Sequence, residues 1–428
     1  MEKKENILVI GSGGREHAIV KKLLQSKKVA KIYAYPANAG VLQDAILADG
    51  IDLKDFSTIV HFCKKNEVHY VVVGSEAFLM EGIVDVLEKS SIKVFGPKKA
   101  GALIEGSKQF MKDIAQKYNI PTAKYKNFSS EKQAIAYAKN HPLPIVIKAD
   151  GLAGGKGVVI AHTHKEALST IKDFFNGKFG EASQKVVIEE FLDGSEASFF
   201  AIANEKQVLF LATAEDYKRA NDDDKGPNTG GMGSFSPSTI IDKVQKDKIM
   251  NRIITPLFNA FSQEKIEYKG IIFAGIMLVK EEPYLIEINC RFGDPETQVF
   301  LPLIKNDFFD LIEFVCDKKP LKLSYSNKKA MCVVYAAKGY PENYKTNTEI
   351  KNLETISADG LDILHAGTKK ESGKIFAIGG RVLNVVAVAS SYAKARKIIY
   401  NNISQIVWPN GFYRKDIGLK AKDKGWFF

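Results

Sequence analysis

The sequence predicts an α/β protein with an N-terminal parallel-sheet domain, a central domain of two α+β subdomains and a small β-rich C-terminal region. Three observations predict this class. Short apolar runs alternate with helical segments over residues 1–100, two apolar runs flank a glycine-rich loop in 144–160, and short β-like runs dominate after Ala330. Apolar runs that alternate with helices are typical of a parallel sheet covered on both faces. We therefore expect a domain boundary near Gly96-Pro97 and a second one near Ala330.

Composition places the chain among ordinary globular proteins. The 428 residues are 45% hydrophobic and 26% charged, and no run of about 18 apolar residues predicts a membrane span. The leader M-E-K-K-E-N precedes an apolar run that is too short for a signal peptide, so we expect a cytoplasmic protein. The four cysteines form no C-x-x-C pair, which is typical of reduced thiols.

The net charge of +11 permits anionic partners of several kinds. The lysines are scattered along the chain, and no basic segment is interleaved with aromatic residues. This pattern favours anionic metabolites over nucleic acid or a membrane surface. We expect a monomer that binds small molecules.

The elements of the N-terminal domain follow from short apolar runs that end in glycine or proline. Strands are predicted at 7–10, 30–35, 70–74 and 92–96, with a first helix at 17–24. Helical sequence at 106–118 ends where proline follows Asn119-Ile120.

The central and C-terminal regions predict further strands. They are expected at 185–191, 198–203, 271–279, 284–289, 331–336, 375–379 and 381–388, with a helix at 243–261. The polar segment 216–236 has no regular periodicity and predicts a long functional loop.

The first candidate site is the turn Gly11-Ser12-Gly13-Gly14-Arg15-Glu16-His17, which joins a strand to a helix. Glycines at such a junction let backbone N–H groups approach an anion. A dinucleotide fingerprint would need glycine at position 16, and the second strand ends without an acid for a ribose diol. The turn therefore predicts a phosphate site, and a tight turn with no ligand is the alternative.

The second candidate site lies between the two strands of 144–160. Lys148 ends the first strand, and a loop rich in glycine and lysine reaches Gly157. It is not a Walker A loop, because Asp150 and Gly157 stand where that pattern needs Gly and Ser or Thr. A glycine hairpin of this kind can close over a triphosphate, with Lys148 as a point charge. The alternative is a glycine-rich hairpin with solvated lysines.

Two strand ends carry the remaining candidate groups. The strand at 186–191 ends in acids and is followed by Glu196, which suits a ribose diol. Glu287 and Asn289 are two apart in a strand, so they share a face and offer two oxygen ligands for Mg²⁺. Arg291 shares that face if the strand continues, where it would stabilise charge on a transferring phosphoryl group. Solvated strand ends are the alternative for both.

Together the motifs resemble the ATP-grasp superfamily and, within it, the phosphoribosylamine–glycine ligase family, also called glycinamide ribonucleotide synthetases. The resemblance covers nearly the whole chain. It rests on G-G-R-E-H-A, I-E-G-S-K, I-K-A-D-G-L-A-G-G-K-G-V, V-I-E-E-F-L-D-G-S-E-A-S, G-P-N-T-G-G-M-G, N-C-R-F-G-D-P-E-T-Q, H-A-G-T, G-G-R-V-L and Y-R-K-D-I-G.

The resemblance implies domains at 1–105, 106–328 and 329–428, with a mobile subdomain at about 123–195. It also implies an ATP site between two sheets and a divalent metal, Mg²⁺ or Mn²⁺. It implies catalytic roles for Arg291 and Lys148, and metal ligation by Glu287 and Asn289 without a third acid from the preceding strand. The implied ATP-binding residues are Lys108, Lys148, Gly151, Gly154, Gly155, Lys156, Gly157, Glu189, Glu190, Phe191, Leu192 and Glu196.

The resemblance also implies that glycine and 5-phosphoribosylamine are joined through glycyl phosphate, in purine synthesis. The implied substrate-binding residues are Gly11, Gly13, Gly14, Arg15, Glu16, His17, Asp216, Lys218, Arg219, Asn228, Thr229, Gly230, Gly231, Asp294, Glu296 and Arg381. The rival readings are a purine-synthesis ligase that uses formate or bicarbonate, an NAD-dependent dehydrogenase and a nucleic-acid-binding protein. The loop from Gly226 and the segment from Asn289 favour the glycine ligase.

Overall fold

The computed structural model describes residues 4–152 and 157–423. Its N-terminal domain holds a five-stranded sheet in which every pair is parallel, as the sequence predicts. The strand order is β3-β2-β1-β4-β5. The strands are β1 (Glu5–Ile10), β2 (Val29–Tyr35), β3 (Ile46–Leu47), β4 (Val68–Val73) and β5 (Lys93–Phe95).

Helices cover this sheet and lead into the central domain. The first one begins three residues earlier than predicted, because the Glu16 carboxylate accepts a hydrogen bond from Gly13 N at 2.6 Å and caps the helix. The helices are α1 (Gly14–Leu23), α2 (Val41–Asp44), α3 (Phe56–Lys65), α4 (Glu76–Glu81), α5 (Ile83–Lys89), α6 (Lys99–Gly106) and α7 (Lys108–Lys117).

The helix predicted at 106–118 is confirmed as α7, and Ser107 separates it from α6, which the sequence pattern did not predict. The backbone of Ser107 is extended, and its hydroxyl accepts a hydrogen bond from Phe110 N at 3.1 Å. Ser107 therefore begins a new helix, and Lys108 lies in its first turn.

A small subdomain follows, with an antiparallel sheet in the order β6-β9-β7-β8. Two helices pack on it around a separate apolar core that includes Ile147 and Phe174. The elements are β6 (Tyr125–Phe128), α8 (Glu131–Asn140), β7 (Ile145–Ala149), β8 (Val158–Ala161), α9 (His164–Phe175) and β9 (Val186–Glu190).

A large sheet dominates the rest of the chain. Its strand order is β16-β15-β10-β11-β14-β17-β22-β19, so it runs from the central domain into the C-terminal region. The strands of the large sheet are β10 (Ser195–Asn204), β11 (Val208–Asp216), β14 (Gly233–Ser236), β15 (Lys269–Val279), β16 (Glu282–Asn289), β17 (Lys329–Ala337), β19 (Leu361–His365), β22 (Arg381–Ala389) and β23 (Gly411–Phe412), the last of which pairs with β17. Two small sheets are separate from it: β12 (Arg219–Asn221) pairs with β13 (Lys225–Asn228), and β18 (Thr348–Ile350), β21 (Lys374–Ala377) and β20 (Thr368–Glu371) form the other, in that order.

The helices of this part are α10 (Lys243–Ile249), α11 (Thr255–Gln263), α12 (Thr297–Phe300), α13 (Phe308–Asp317) and α14 (Tyr392–Ile403). A π-helical turn, Met250–Ile254, joins α10 to α11, so the helix predicted at 243–261 is confirmed as one continuous helical segment. No helix among residues 4–152 and 157–423 is long and apolar enough to cross a bilayer.

The prediction that 216–236 is a loop without regular structure is wrong. Its polar residues form a hairpin, β12–β13, in which Arg219 pairs with Asn228. The small residues after it form β14, which is buried in the large sheet between β11 and β17. These strands are held by backbone pairing and by tight packing of small residues, neither of which produces an apolar periodicity in the sequence, so the pattern did not predict them.

Candidate functional site

A cleft of about 650 Å³ has walls from both the small and the large sheet. Lys148 from β7 and Glu287 and Asn289 from β16 all line it, so the convergence of these three side chains holds. The other predicted site residues that line the cleft are Arg15, Lys108, Gly151, Gly157, Glu189, Glu190, Phe191, Leu192, Glu196, Asp216, Lys218, Arg219, Asn228, Thr229, Gly230, Arg291, Asp294, Glu296 and Arg381. Gly154, Gly155 and Lys156 lie outside the described residues.

One end of the cleft is apolar. Side chains of Met111, Ala123, Val146, Ile160 and Met277 line it, none of which the motif analysis had singled out. The strand end formed by residues 189–192 also borders this end. An apolar slot beside exposed strand-end backbone suits a planar heterocycle with hydrogen-bonding edges.

Two lysines stand at the base of the glycine loop. Lys148 is nearly buried, with its Nζ 2.9 Å from Glu189 Oε1, and it donates a hydrogen bond to Ile286 O at 3.0 Å. Lys108 donates to Gly151 O at 2.8 Å, and burial lowers its pKa. Two ammonium groups that line a cleft and form few hydrogen bonds to protein acceptors are suited to bind an anionic ligand.

Glu287 and Asn289 lie on the wall formed by β16. Lys218 Nζ is 3.7 Å from Glu287 and also pairs with Glu196, and its charge lowers the pKa of Glu287. The Glu287 side chain is 38% exposed, so a metal can reach it. Within residues 4–152 and 157–423, no group of three His, Cys, Asp or Glu side chains could hold a metal ion. An acid–amide pair needs phosphate oxygens and water to complete a shell.

Arg291 lines the cleft, but the condition under which it would share the face of Glu287 and Asn289, that the strand continues, is not met. Strand β16 ends at Asn289, and Arg291 follows in the next loop. Its guanidinium donates to Glu76 at 3.0 Å and lies 3.2 Å from Glu105. Burial alone would raise the pKa of Glu76, but the positive charges of Arg291 and Arg15 outweigh this effect and lower the pKa of Glu76 to about 2.

Sequence reasoning missed Glu76 and Glu105. Glu76 follows the carboxyl end of β4, which is where ligand-facing residues gather in parallel sheets, so that position was an available signal. Glu105 lies in α6 without any comparable signal. Its burial raises its pKa, and it accepts a hydrogen bond from Cys290 N at 2.8 Å.

The far end of the cleft is strongly polar. Arg381 donates to Asp294 O at 2.7 Å and to Gly230 O at 2.6 Å, which joins three predicted substrate residues. Burial, against the opposing charge of Lys218 and together with neighbouring carboxylates such as Glu296, raises the pKa of Asp216 to about 8. Arg15 N donates to Asp294 at 3.3 Å. Arginines beside carboxylates suit a zwitterionic or phosphorylated substrate.

Arg15 is the member of the N-terminal turn that lines the cleft. Gly11, Gly13 and Gly14 are outside the lining; a Cβ on Gly14 would stand 2.2 Å from Asn384 Nδ2, so close packing accounts for that glycine. Glu16 accepts from Gly13 and from Arg15 Nε at 2.5 Å.

His17 is buried away from the cleft and accepts a hydrogen bond from His365 N at 2.8 Å. Gly231 is also outside the lining, with φ +113° against Pro295. Substrate roles for these residues stay predictions.

Two sheets that close on one cleft, with paired lysines on one side and an acid–amide pair on the other, define a protein of the ATP-grasp class. Family models confirm and refine this class. Phosphoribosylglycinamide synthetase N, ATP-grasp (A) and C domains match residues 5–105, 106–297 and 330–420. The chain belongs to the phosphoribosylglycinamide synthetase family.

Relatives agree with this assignment. A phosphoribosylamine–glycine ligase from Caldanaerobacter subterraneus is 46% identical and covers 96% of this chain and 99% of its own. The crystal structure of a Thermotoga maritima phosphoribosylamine–glycine ligase is 32% identical, with a TM-score of 0.84 over 96% of this chain and 100% of that one. A biotin carboxylase from Campylobacter jejuni, at 15% identity and TM-score 0.74 over 97% and 94% of the two chains, shares the fold.

Proposed function

We propose that this enzyme ligates glycine to 5-phosphoribosylamine with ATP, giving glycinamide ribonucleotide, ADP and phosphate in purine synthesis. The family membership and the near-complete coverage of relatives named phosphoribosylamine–glycine ligase support it. The observation that carries it is the single cleft in which Lys148 faces Glu287 and Asn289. A cytoplasmic location and a monomeric state stay predictions.

The cleft accommodates ATP with its base at the apolar end. There Glu189 Oε1 is buried without a hydrogen bond, although it is ion-paired with Lys148. A buried acceptor of this kind needs a donor, and the 6-amino group of adenine is one. Glu196 then takes the ribose, and Lys108 and Lys148 take the phosphates, close to Gly151 and Gly157 in the cleft lining.

Mg²⁺ or Mn²⁺ would be held by Glu287 and Asn289. Their fit rests on two observations: Lys218 holds Glu287 in its ionised form, and the half-buried Asn289 amide lines the cleft. The metal would neutralise charge on the transferring phosphoryl group. Lys218 would have to share or release Glu287 when the metal binds.

The polar end of the cleft would orient glycine and phosphoribosylamine for a reaction in two steps. Oxygen of the glycine carboxylate attacks the γ-phosphorus and ADP leaves, which gives glycyl phosphate. The amine of phosphoribosylamine then attacks that carbonyl carbon and inorganic phosphate leaves with one former carboxylate oxygen. Arg291, held by Glu76 and Glu105, lies where it can stabilise charge in the first step. Neither step needs an enzyme nucleophile.

The test uses purified protein with ATP, Mg²⁺, phosphoribosylamine and glycine labelled with ¹⁸O in the carboxylate. We expect one labelled oxygen in the released phosphate, and no turnover with formate or bicarbonate in place of glycine. Turnover without transfer of label, or equal turnover with formate or bicarbonate, would contradict the proposal.

A further inference from the structure

Lys112 is a fully buried lysine that stands behind the wall of the cleft. It lies in α7, and its Nζ is 2.9 Å from Glu189 Oε2 and 2.7 Å from Thr122 Oγ1. Glu189 lines the cleft, whereas Lys112 does not. Burying an ammonium group is costly unless the group is paired. A buried lysine that does not line the cleft therefore requires an explanation.

Glu189 is held between two lysines, one on each oxygen. Oε2 accepts from Lys112, and Oε1 lies 2.9 Å from Lys148 Nζ without the geometry of a hydrogen bond. The Lys148 ammonium instead donates to Ile286 O. The contact with Lys112 therefore fixes the orientation of the carboxylate, and Oε1 is left as an acceptor at the apolar end of the cleft.

We propose that Lys112 is a positioning residue for the nucleotide, which directs Glu189 Oε1 toward the amino group of the base and leaves Lys148 available to the phosphates. The proposal rests on the function proposed above. It adds a residue that no motif had singled out.

The hydrogen bonds around Lys112 extend to the strand that carries the predicted metal ligands. Thr122 Oγ1 donates to Leu285 O at 2.6 Å, and Leu285 N donates to Pro121 O at 2.8 Å. Lys148 binds the next carbonyl, that of Ile286, and Glu287 follows directly. The carboxylate proposed to bind the base, the lysine proposed to bind the phosphates and the strand that carries the predicted metal ligands are therefore connected by one network of hydrogen bonds.

The charge of Lys112 is present near neutral pH. Burial lowers the pKa of Lys112 to about 8, while Glu189 favours the charged form. Replacing this ammonium leaves the buried Glu189 carboxylate without its partner, which favours protonation or rotation of the carboxylate. Either change removes the acceptor that the base requires, so nucleotide binding should weaken more than the chemical step does.

The experiment compares Lys112→Met with Lys117→Met, an exposed lysine on the same helix. Steady-state constants are measured with ATP and with inosine triphosphate, which carries an oxygen in place of the 6-amino group. Lys112→Met should raise the KM for ATP about 10- to 100-fold, the range for a lost hydrogen bond to a charged group, with kcat changed less. The preference for ATP over inosine triphosphate in kcat/KM should fall by a similar factor. Lys117→Met should match the wild type.

A folded Lys112→Met protein with wild-type KM and wild-type base preference would overturn the inference. Folding is checked by circular dichroism and the thermal midpoint. If Lys112→Met does not fold, Thr122→Val, which removes the hydroxyl partner of Lys112 and its hydrogen bond to Leu285 O, should lower the base preference severalfold, and an unchanged preference overturns the inference. Failure of the proposed function can be distinguished from failure of this inference, because in that case the wild type would show no glycine-dependent turnover.

Discussion

Glu287 lies directly opposite Gly275 across the paired strands β15 and β16, and a Cβ on Gly275 would stand 2.8 Å from Glu287 Cγ. That distance is shorter than a normal carbon–carbon contact. The Glu287 side chain therefore occupies the space that a third acidic ligand on β15 would need. This packing explains why the strand before the proposed metal ligands carries glycine at this position.

Gly275→Ala should displace the Glu287 carboxylate and weaken the metal site. We expect the Mg²⁺ concentration for half-maximal activity to rise about 10-fold, an effect of about 1.4 kcal/mol. Ile276→Val, a change in the buried core on the adjacent position, is the control and should cost about 1 kcal/mol of stability without altering the metal dependence. An unchanged metal requirement in Gly275→Ala would exclude the contact as a constraint on Glu287.

Lys148→Met should reduce kcat/KM for ATP by at least about 100-fold, because the variant loses the buried ammonium that we propose contacts the phosphates. Lys172→Met, on the exposed face of α9 in the same subdomain, is expected to retain wild-type kinetics. Steady-state ADP release measures both variants. Near-normal turnover of Lys148→Met would remove this lysine from the phosphate site.

Glu76→Gln should lower kcat about 10-fold with a small change in the KM for ATP, since it loosens the Arg291 guanidinium without touching the nucleotide. Glu81→Gln, at the exposed end of the same helix α4, is the matched variant and should be neutral. The two are compared at saturating substrates. Equal kcat values for Glu76→Gln and the wild type would mean that Arg291 does not depend on this carboxylate.

Asp216 should make stability depend on pH. Burial raises the pKa of Asp216 to about 8, above its value of about 3.9 in the unfolded chain. The native state thus binds this proton more tightly, and the resulting stability is complete below about pH 4 and lost as the pH rises through about 8. Between about pH 5 and pH 9, the free energy of unfolding should fall less in Asp216→Asn than in the wild type.

Urea titrations at both pH values measure this difference. Asp247→Asn, an exposed acid on α10, should keep the wild-type pH dependence. If Asp216→Asn loses as much stability as the wild type over this range, Asp216 is already ionised at neutral pH.

Local pattern was sufficient for the parallel sheet, because β1 and β4 are buried on both faces and read as unbroken apolar runs. It was also sufficient for the alignment of Glu287 with Asn289, since a strand repeats every two residues. Pattern missed helix α6, which ends just before Ser107, and it failed at residues 219–236, where backbone pairing leaves no apolar signature.

By itself, the sequence determined the chemical groups and their local spacing: the glycine–lysine loop, the acid–amide pair and the order of elements along the chain. Only the tertiary structure decided which distant groups meet. Glu76 and Glu105 hold Arg291, and Lys112 holds Glu189 across 77 residues, through contacts that no local periodicity encodes. The physical reason is that strand and helix periods specify which face a side chain occupies, whereas the partner on that face depends on how the sheets and helices pack.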